Sequence, residues 1–80
     1  LERTDLSASG VNWIAGEPPT GPRRVEAQIR YRHNPGRATV TAGAGQTATV
    51  RFDEPQIAVT PGQAVVFYDE DEVIGGGWID

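Results

Sequence analysis

Residues 58–79 read AVTPGQAVVFYDEDEVIGGGWI and contain the densest apolar run of the chain, at residues 64–68. The run follows Pro61-Gly62, which suits a type II turn because proline presets φ at the second turn position and glycine accepts the positive φ of the third. Four acidic residues end the run, and a second apolar segment interrupted by three glycines follows. The stretch therefore predicts two β-strands joined by a hairpin with an acidic tip.

The clearest alternation lies in residues 23–32. Val25, Ala27, Ile29 and Tyr31 fall on one side of an extended chain, and mostly charged side chains fall on the other. A period of two is typical of a half-buried strand, whereas a helical period gives this segment a poorer apolar face. Residues 23–32 are therefore predicted to form a strand.

The remaining segments predict shorter elements. Residues 38–42 and 46–53 alternate as strands, with Val40 facing inward in the first and Ala48, Val50 and Phe52 in the second, and Pro55 ends the second. Residues 1–9 predict an edge strand, residues 10–14 a turn or short helical corner, and residues 17–22 a stiff proline-rich loop.

Glycine and proline dominate the composition and favour short strands. Ten glycines and six prolines in 80 residues leave no room for long helices. Six or seven short strands with no covering helix predict an all-β protein, a small closed or nearly closed antiparallel β-barrel. A single domain over residues 1–80 is expected, with residues 1–22 as lead-in strand, corner and loop, and residues 23–80 as the barrel body.

Few residues could carry catalysis or bind a metal. The chain has no cysteine, and His33 is its one histidine, so neither a thiolate nor a histidine metal site is predicted and no catalytic residue is assigned. The acidic tip lacks the spacing of a calcium loop, and residues 75–77 lack the lysine of a phosphate-binding loop. We expect a structural role for these glycines. With no apolar run of about 20 residues and no signal peptide, a soluble cytoplasmic fragment without membrane contact is expected.

Charge is distributed unevenly despite a net charge of −4. Residues 23–37 hold five arginines and one glutamate, a local charge of +4, whereas residues 52–80 hold seven acids and no base. Arginines at this spacing can contact the phosphates of a nucleic acid. The candidate RNA-binding residues are Arg23, Arg24, Arg30, Arg32, His33 and Arg37. The alternative is a solvated strand face paired with the acids of the same domain, and the residues alone leave both interpretations open.

Four large side chains are candidates for packing against another domain. Trp13 and Trp78 lie among apolar neighbours, which favours packing over stacking on bases. Val66 and Tyr68 face away from Val65 and Phe67, so both faces of that strand need cover.

Several of these segments, in this order, resemble one family. They are residues 11–14 (VNWI), 17–19 (EPP), 29–32 (IRYR), 50–56 (VRFDEPQ), 58–69 and 75–77. Together they resemble the C-terminal domain of the bacterial tRNA-specific 2-thiouridylases, the MnmA or TrmU family, formerly named methyltransferases. The similarity runs over nearly all of the chain.

The resemblance implies a non-catalytic β-barrel similar to the second domain of translation elongation factors. The parent enzyme would use ATP with Mg in an N-terminal domain to replace the C2 oxygen of the wobble uridine with sulfur, which a sulfur-donor protein delivers to the missing part. The barrel would help to position tRNA and pack on the upstream catalytic and central domains. The alternatives are a purely structural brace between domains and a translation-factor-type barrel that binds a protein partner. Glu70 and residues 33–37 depart from the family pattern, which usually has a glycine in the hairpin tip.

Overall fold

A computed structural model of the chain describes residues 2–29, 34–57 and 59–80. Six strands form in this part: β1 Glu2–Trp13, β2 Arg23–Gln28, β3 Gly36–Ala42, β4 Ala48–Ile57, β5 Ala64–Asp69 and β6 Glu72–Ile79. They close a barrel in the order β1-β4-β3-β2-β5-β6, and every neighbouring pair is antiparallel. The predicted all-β barrel is confirmed, with six strands. Within the described ranges no helix is long and apolar enough to cross a membrane.

The core is one cluster of inward-facing side chains from all six strands. Phe67, Val40, Val50 and Val65 are its largest fully buried members. The predicted inward positions of residues 23–29, 38–42 and 46–53 are confirmed, because Val25, Ala27, Ile29, Val40, Ala48, Val50 and Phe52 are all buried. Val65 and Phe67, on one face of β5, are buried as well. The strand predicted over residues 23–32 ends at Gln28, and Tyr31, its last predicted inward position, lies outside the described residues.

The corner predicted at residues 10–14 is wrong, because β1 continues as a strand to Trp13. Gly10 adopts a positive φ of 59°, and the register with β6 shifts between Ser9 and Asn12. A bulge of this kind bends a strand without ending it. The earlier half of β1 pairs with β4 and the later half with β6, so β1 closes the barrel and the prediction of an edge strand is wrong.

Pro55 does not end β4, which runs on to Ile57. A proline is tolerated here because neither neighbour needs its missing N–H. Pairing with β3 stops at Phe52, and the register with β1 shifts between the pairs Arg3–Gln56 and Asp5–Arg51. Pro55 therefore lies in an irregular part of the strand, without breaking a regular ladder.

The glycines of β6 are required by close packing against both neighbouring strands. A Cβ on Gly75 would lie 2.7 Å from the backbone oxygen of Asn12, and one on Gly76 would lie 2.7 Å from that of Val65. A Cβ on Gly77 would lie 2.8 Å from a methyl carbon of Val11. The structural role predicted for residues 75–77 is confirmed, because no larger residue fits without moving the backbone.

The hairpin between β5 and β6 has a two-residue tip, Glu70 and Asp71, closed by the pair Asp69–Glu72. Glu70 has a φ of 57°, a conformation that a side chain with a Cβ adopts at a cost and glycine adopts freely. The backbone at residue 70 therefore favours glycine, the residue expected in the hairpin tip from the family resemblance.

Replacing Glu70 with glycine should stabilise the barrel. Glycine removes the backbone strain of the left-handed conformation at residue 70, and this outweighs the greater conformational entropy that glycine gives the unfolded chain. We expect the free energy of unfolding to rise by roughly 0.5–1 kcal/mol. In a domain of this size that raises the midpoint of thermal unfolding by about 2–8 °C, measurable by circular dichroism. Asp71→Gly is the matched control, since Asp71 has no positive φ, and it should leave the midpoint unchanged or lower it. A lower midpoint for Glu70→Gly would contradict this account of the tip.

Candidate binding surfaces of the barrel

The outer surface has two faces of different chemistry on opposite sides of the barrel. In the closed order, β4 and β3 lie across the barrel from β5 and β6. We call the outward side chains around β3 and β4 the polar face: Asp5, Arg24, Glu26, Arg37, Thr39, Arg51 and Asp53. We call the outward side chains around β5 and β6 the apolar face: Ile14, Ala64, Val66, Val73 and Trp78.

The polar face is built from side chains that lie in register on four strands. Arg24 is opposite Thr39, Thr39 is opposite Arg51, and Arg51 is opposite Asp5. Arg24 donates to both carboxylate oxygens of Asp53, at 2.8 and 2.6 Å, and to the hydroxyl of Thr39 at 3.0 Å. Arg51 lies 3.7 Å from a carboxylate oxygen of Asp5. Positive and negative side chains therefore alternate and largely neutralise each other.

The ion pair between Arg24 and Asp53 shifts the pKa of each side chain. Hydrogen bonds from Arg24 hold the pKa of Asp53 below its ordinary value, and the charge of Arg37 lowers it further. The pKa of Arg24 is raised, chiefly by its hydrogen bond to Asp53. Both groups are exposed, so the pair orders the side chains and adds little to stability.

Two of the three candidate RNA-binding residues that the structure describes already have carboxylate partners. Arg23 forms an ion pair with Asp69 at 2.8 Å, and Arg24 forms the pair with Asp53. Arg37 is exposed and lies opposite Glu26. Arg30, Arg32 and His33 lie outside the described residues. The two acidic partners, Asp69 and Asp53, both lie in the acidic segment at residues 52–80. This agrees with the alternative interpretation, in which the arginines pair with acids of the same domain.

Arg51 belongs to the polar face but is not among the predicted residues. It lies outside the basic run of residues 23–37 and reaches that surface through the pairing of β3 with β4. The alternation of residues 46–53 already places Arg51 on the outer side of its strand. Its neighbours, however, follow from the strand order.

The apolar face exposes large hydrophobic side chains. Ile14 is 64% exposed, Trp78 58% and Val73 43%. They line a shallow depression together with Ala64, Val66 and the glycines of β6, and none of the described residues around it is charged. Exposed apolar surface that is contiguous marks an interaction site more often than single exposed residues do.

The four predicted packing residues separate into two groups. Val66 and Trp78 lie together on the apolar face. Trp13 instead stacks on Phe67, with ring centroids 5.5 Å apart and planes 24° apart, and it is half-buried against the core. Tyr68 donates its hydroxyl to the amide oxygen of Gln28 at 3.2 Å. Ile14 and Val73 also lie on the apolar face and are not among the predicted packing residues. The position of Ile14 depends on the path of β1 past Gly10, which is not predicted from the sequence.

A cleft of about 550 Å³ lies at one end of the barrel, beside Trp13 and the loop of Pro18 and Pro19. It also borders Arg23 and Glu72. Across the described ranges, no group of three or more histidine, cysteine or acidic side chains could hold a metal ion. The glycines at residues 75–77 have the backbone of β1 and β5 packed against them, so they do not form an open loop for a nucleotide phosphate.

Comparison with known proteins gives a consistent set of relatives. A family model described as the aminomethyltransferase beta-barrel domain matches residues 3–79. The tRNA-specific 2-thiouridylase MnmA of Acidobacterium capsulatum is 59% identical over 83 residues, which cover 99% of this chain and 22% of that protein. The proteins of the same name from Geobacter metallireducens and Koribacter versatilis are 55% and 52% identical, each over 94% of this chain and 20% of their own length. The chain therefore spans about a fifth of the length of these relatives.

The link between Arg24 and Asp53 can be tested by titration. A carboxylate with a depressed pKa stabilises the fold above the pKa of the unfolded chain, and this contribution is lost as the pH falls through the lower folded value. Following the Asp53 side-chain carbon by NMR should show a pKa below that of an ordinary aspartate. Arg24→Met should raise it markedly, and Arg37→Met should raise it less. An Asp53 pKa that is the same with and without Arg24 would contradict the pairing.

Proposed function

The chain belongs to the aminomethyltransferase beta-barrel domain family, and from that premise we propose that it is the non-catalytic C-terminal barrel of a tRNA-specific 2-thiouridylase. The observation that carries this is 49–59% identity to proteins of that name over nearly the whole chain. The proposed parent enzyme transfers sulfur to C2 of the wobble uridine in the cytoplasm. ATP and Mg would bind to its N-terminal domain, and the sulfur-donor protein would act on a part of the enzyme outside these 80 residues.

The barrel contributes no reacting group in this proposal. Sulfur transfer through a persulfide needs a cysteine, and this chain has none. Its contribution is therefore mechanical and electrostatic. The apolar face packs on the upstream domains, and the basic segment at residues 30–37 approaches tRNA phosphate.

Within the predicted basic run, the segment at residues 30–37 is the better candidate for RNA contact. Arg23 and Arg24 already have carboxylate partners at 2.8 and 2.6 Å, so a phosphate would have to displace those ion pairs. Arg37 is exposed, and the nearest positive residues in sequence are Arg32 and Arg30. A phosphate at Arg37 would meet Asp53 nearby, which limits the strength of that contact.

The second candidate function is a purely structural brace. Pairing of Arg23 and Arg24 with acids of the same domain favours it, since a neutralised face attracts polyanions weakly. Under this alternative the apolar face is the functional surface and tRNA is held elsewhere in the parent enzyme. The translation-factor alternative has no support among these relatives, which are named as 2-thiouridylases.

The proposed parent activity can be tested in cells that lack the parent gene. Mass spectrometry of digested tRNA should show no 2-thiouridine at the wobble position, and the full-length protein should restore it. A parent protein without residues 1–80 should fail to restore it, and residues 1–80 alone should also fail. Normal 2-thiouridine in the deletion strain would refute the proposed parent activity, and full restoration without the barrel would refute its contribution.

The contribution of the basic segment to tRNA binding can be measured with the full-length protein. Replacing Arg30, Arg32 and Arg37 with alanine should weaken binding and reduce the slope of log affinity against log salt by about one for each phosphate that is no longer bound. Arg51→Ala, which removes an arginine of the polar face outside this segment, is the matched control and should leave the slope unchanged. An unchanged affinity and slope for the triple variant would leave the structural brace as the function.

A further inference from the structure

The cleft of about 550 Å³ at the end of the barrel is bounded by backbone that hydrogen bonds hold in place. The Ile14 N–H donates to the backbone oxygen of Ile74 at 2.9 Å, which extends the pairing of β1 with β6 by one residue. The chain then turns at Gly16, which has a φ of 92° and donates its N–H to the backbone oxygen of Trp13 at 2.9 Å. This side of the cleft is therefore already formed in the barrel itself.

The apolar lining of the cleft is continuous with the apolar face. Ile14 and Val73 line both the cleft and the depression on that face. Trp13, Pro18 and Pro19 add further apolar surface on the side of the cleft. A partner that packs on the apolar face therefore meets the cleft at its edge, and the two surfaces can be covered by one partner.

The charge at the cleft is negative. Glu17 and Glu72 line it and are exposed, and the hairpin tip before Glu72 adds three acids at residues 69–71. Arg23 is the arginine of the cleft, so the local charge is 1 − 5 = −4, and Arg23 is paired with Asp69 at 2.8 Å. A surface of this charge attracts a basic partner and repels a polyanion.

Two other occupants fit the cleft less well. A tRNA would bring its phosphates against the carboxylates of Glu17 and Glu72, and like charges in contact oppose binding. A second copy in a two-fold dimer would place the same surface on both sides of the contact, so two acidic clefts would face each other. The complementary occupant is a protein segment that carries an apolar side chain with a lysine or arginine close to it.

The relatives indicate where such a segment comes from. This chain spans about a fifth of their length, so on the proposed function most of the polypeptide lies outside the barrel and is joined to it covalently. Covalent linkage makes docking intramolecular, with an effective concentration on the order of millimolar. A cleft of this size can then hold a segment that would bind only weakly as a separate molecule.

We propose that the cleft receives a segment from the upstream part of the same polypeptide, which packs an apolar side chain against Ile14 and Val73 and places a basic side chain beside Glu17 and Glu72. This inference rests on the proposed function, in which the apolar face packs on the upstream domains. It goes further by naming the cleft as part of that contact and the chemistry of the segment that fills it.

The basic partner is tested in full-length protein with Glu17→Lys. Hydrogen-exchange mass spectrometry should show faster exchange in residues 12–20 and in one upstream segment, by about 3- to 10-fold, because an attraction at the surface is replaced by a repulsion. Glu54→Lys makes the same change at an exposed glutamate of β4 and should change neither region. Peptides from β3 should exchange normally in both variants, which shows that the barrel has folded.

The apolar contact is tested with Ile14→Ser, whose side chain is 64% exposed in the barrel, so that the barrel still folds without it. This variant should increase exchange in the same upstream segment as Glu17→Lys. Ile57→Ser is the matched control, because it removes an isoleucine with the same exposed fraction from the end of β4, and it should leave that segment unchanged.

The remaining outcomes distinguish the occupants. Unchanged exchange in every upstream segment for either cleft variant would overturn the proposal. Protection of residues 12–20 that requires added tRNA would also overturn it, by assigning the cleft to RNA, as would a dimer that Ile14→Ser dissociates, which would assign it to a second copy. Measuring 2-thiouridine formation by the same preparations separates the two proposals: absent activity in the wild type refutes the proposed function, whereas the exchange pattern decides docking independently.

Discussion

The close approach of β6 to both of its neighbours is the constraint on which this barrel depends. Strand β6 pairs with β5 on one side and β1 on the other, and the space between them admits no Cβ at residues 75–77. The atoms that a side chain would meet include the backbone oxygens of Asn12, Val65 and Ser9. A backbone oxygen cannot move aside as the end of a flexible side chain can, so closure of the sheet requires glycine here.

The same constraint shapes the outer surface. Three consecutive residues without side chains leave a shallow depression, and the apolar side chains of Ile14, Val73 and Trp78 project around it. These side chains are not needed to fill the core, which is completed at that end by the stacking of Trp13 on Phe67. The closing strand thus provides both the closure of the barrel and the surface most suited to packing on another part of the protein.

Local alternation predicts the strands correctly, and prediction fails where the determinant is non-local. Residues 23–29 and 48–52 alternate regularly, and their inward positions are buried. Gly10 suggests the start of a corner, because a glycine in a bulge and a glycine in a turn look the same in one sequence. Pro55 suggests the end of β4, although an irregular register makes its missing N–H harmless. The apolar face is predicted in part, through Val66 and Trp78, since hydrophobic character can be read from sequence but the neighbours of each strand cannot.

The polar face shows why a count of arginines does not define a binding surface. Residues 23–37 hold a charge of +4 when considered alone, but the strand order brings β4 beside β3 and β5 beside β2. Asp53 and Asp69 then meet Arg24 and Arg23. An arginine held by two hydrogen bonds to a carboxylate is ordered and neutralised, so it attracts a polyanion less than a free one does. With a net charge of −4, the barrel cannot draw RNA to itself by long-range attraction. If the proposed function is correct, the basic segment at residues 30–37 therefore contacts tRNA only at short range, after other parts of the enzyme have bound it. The position of that segment then depends on how the apolar face packs against the upstream domains.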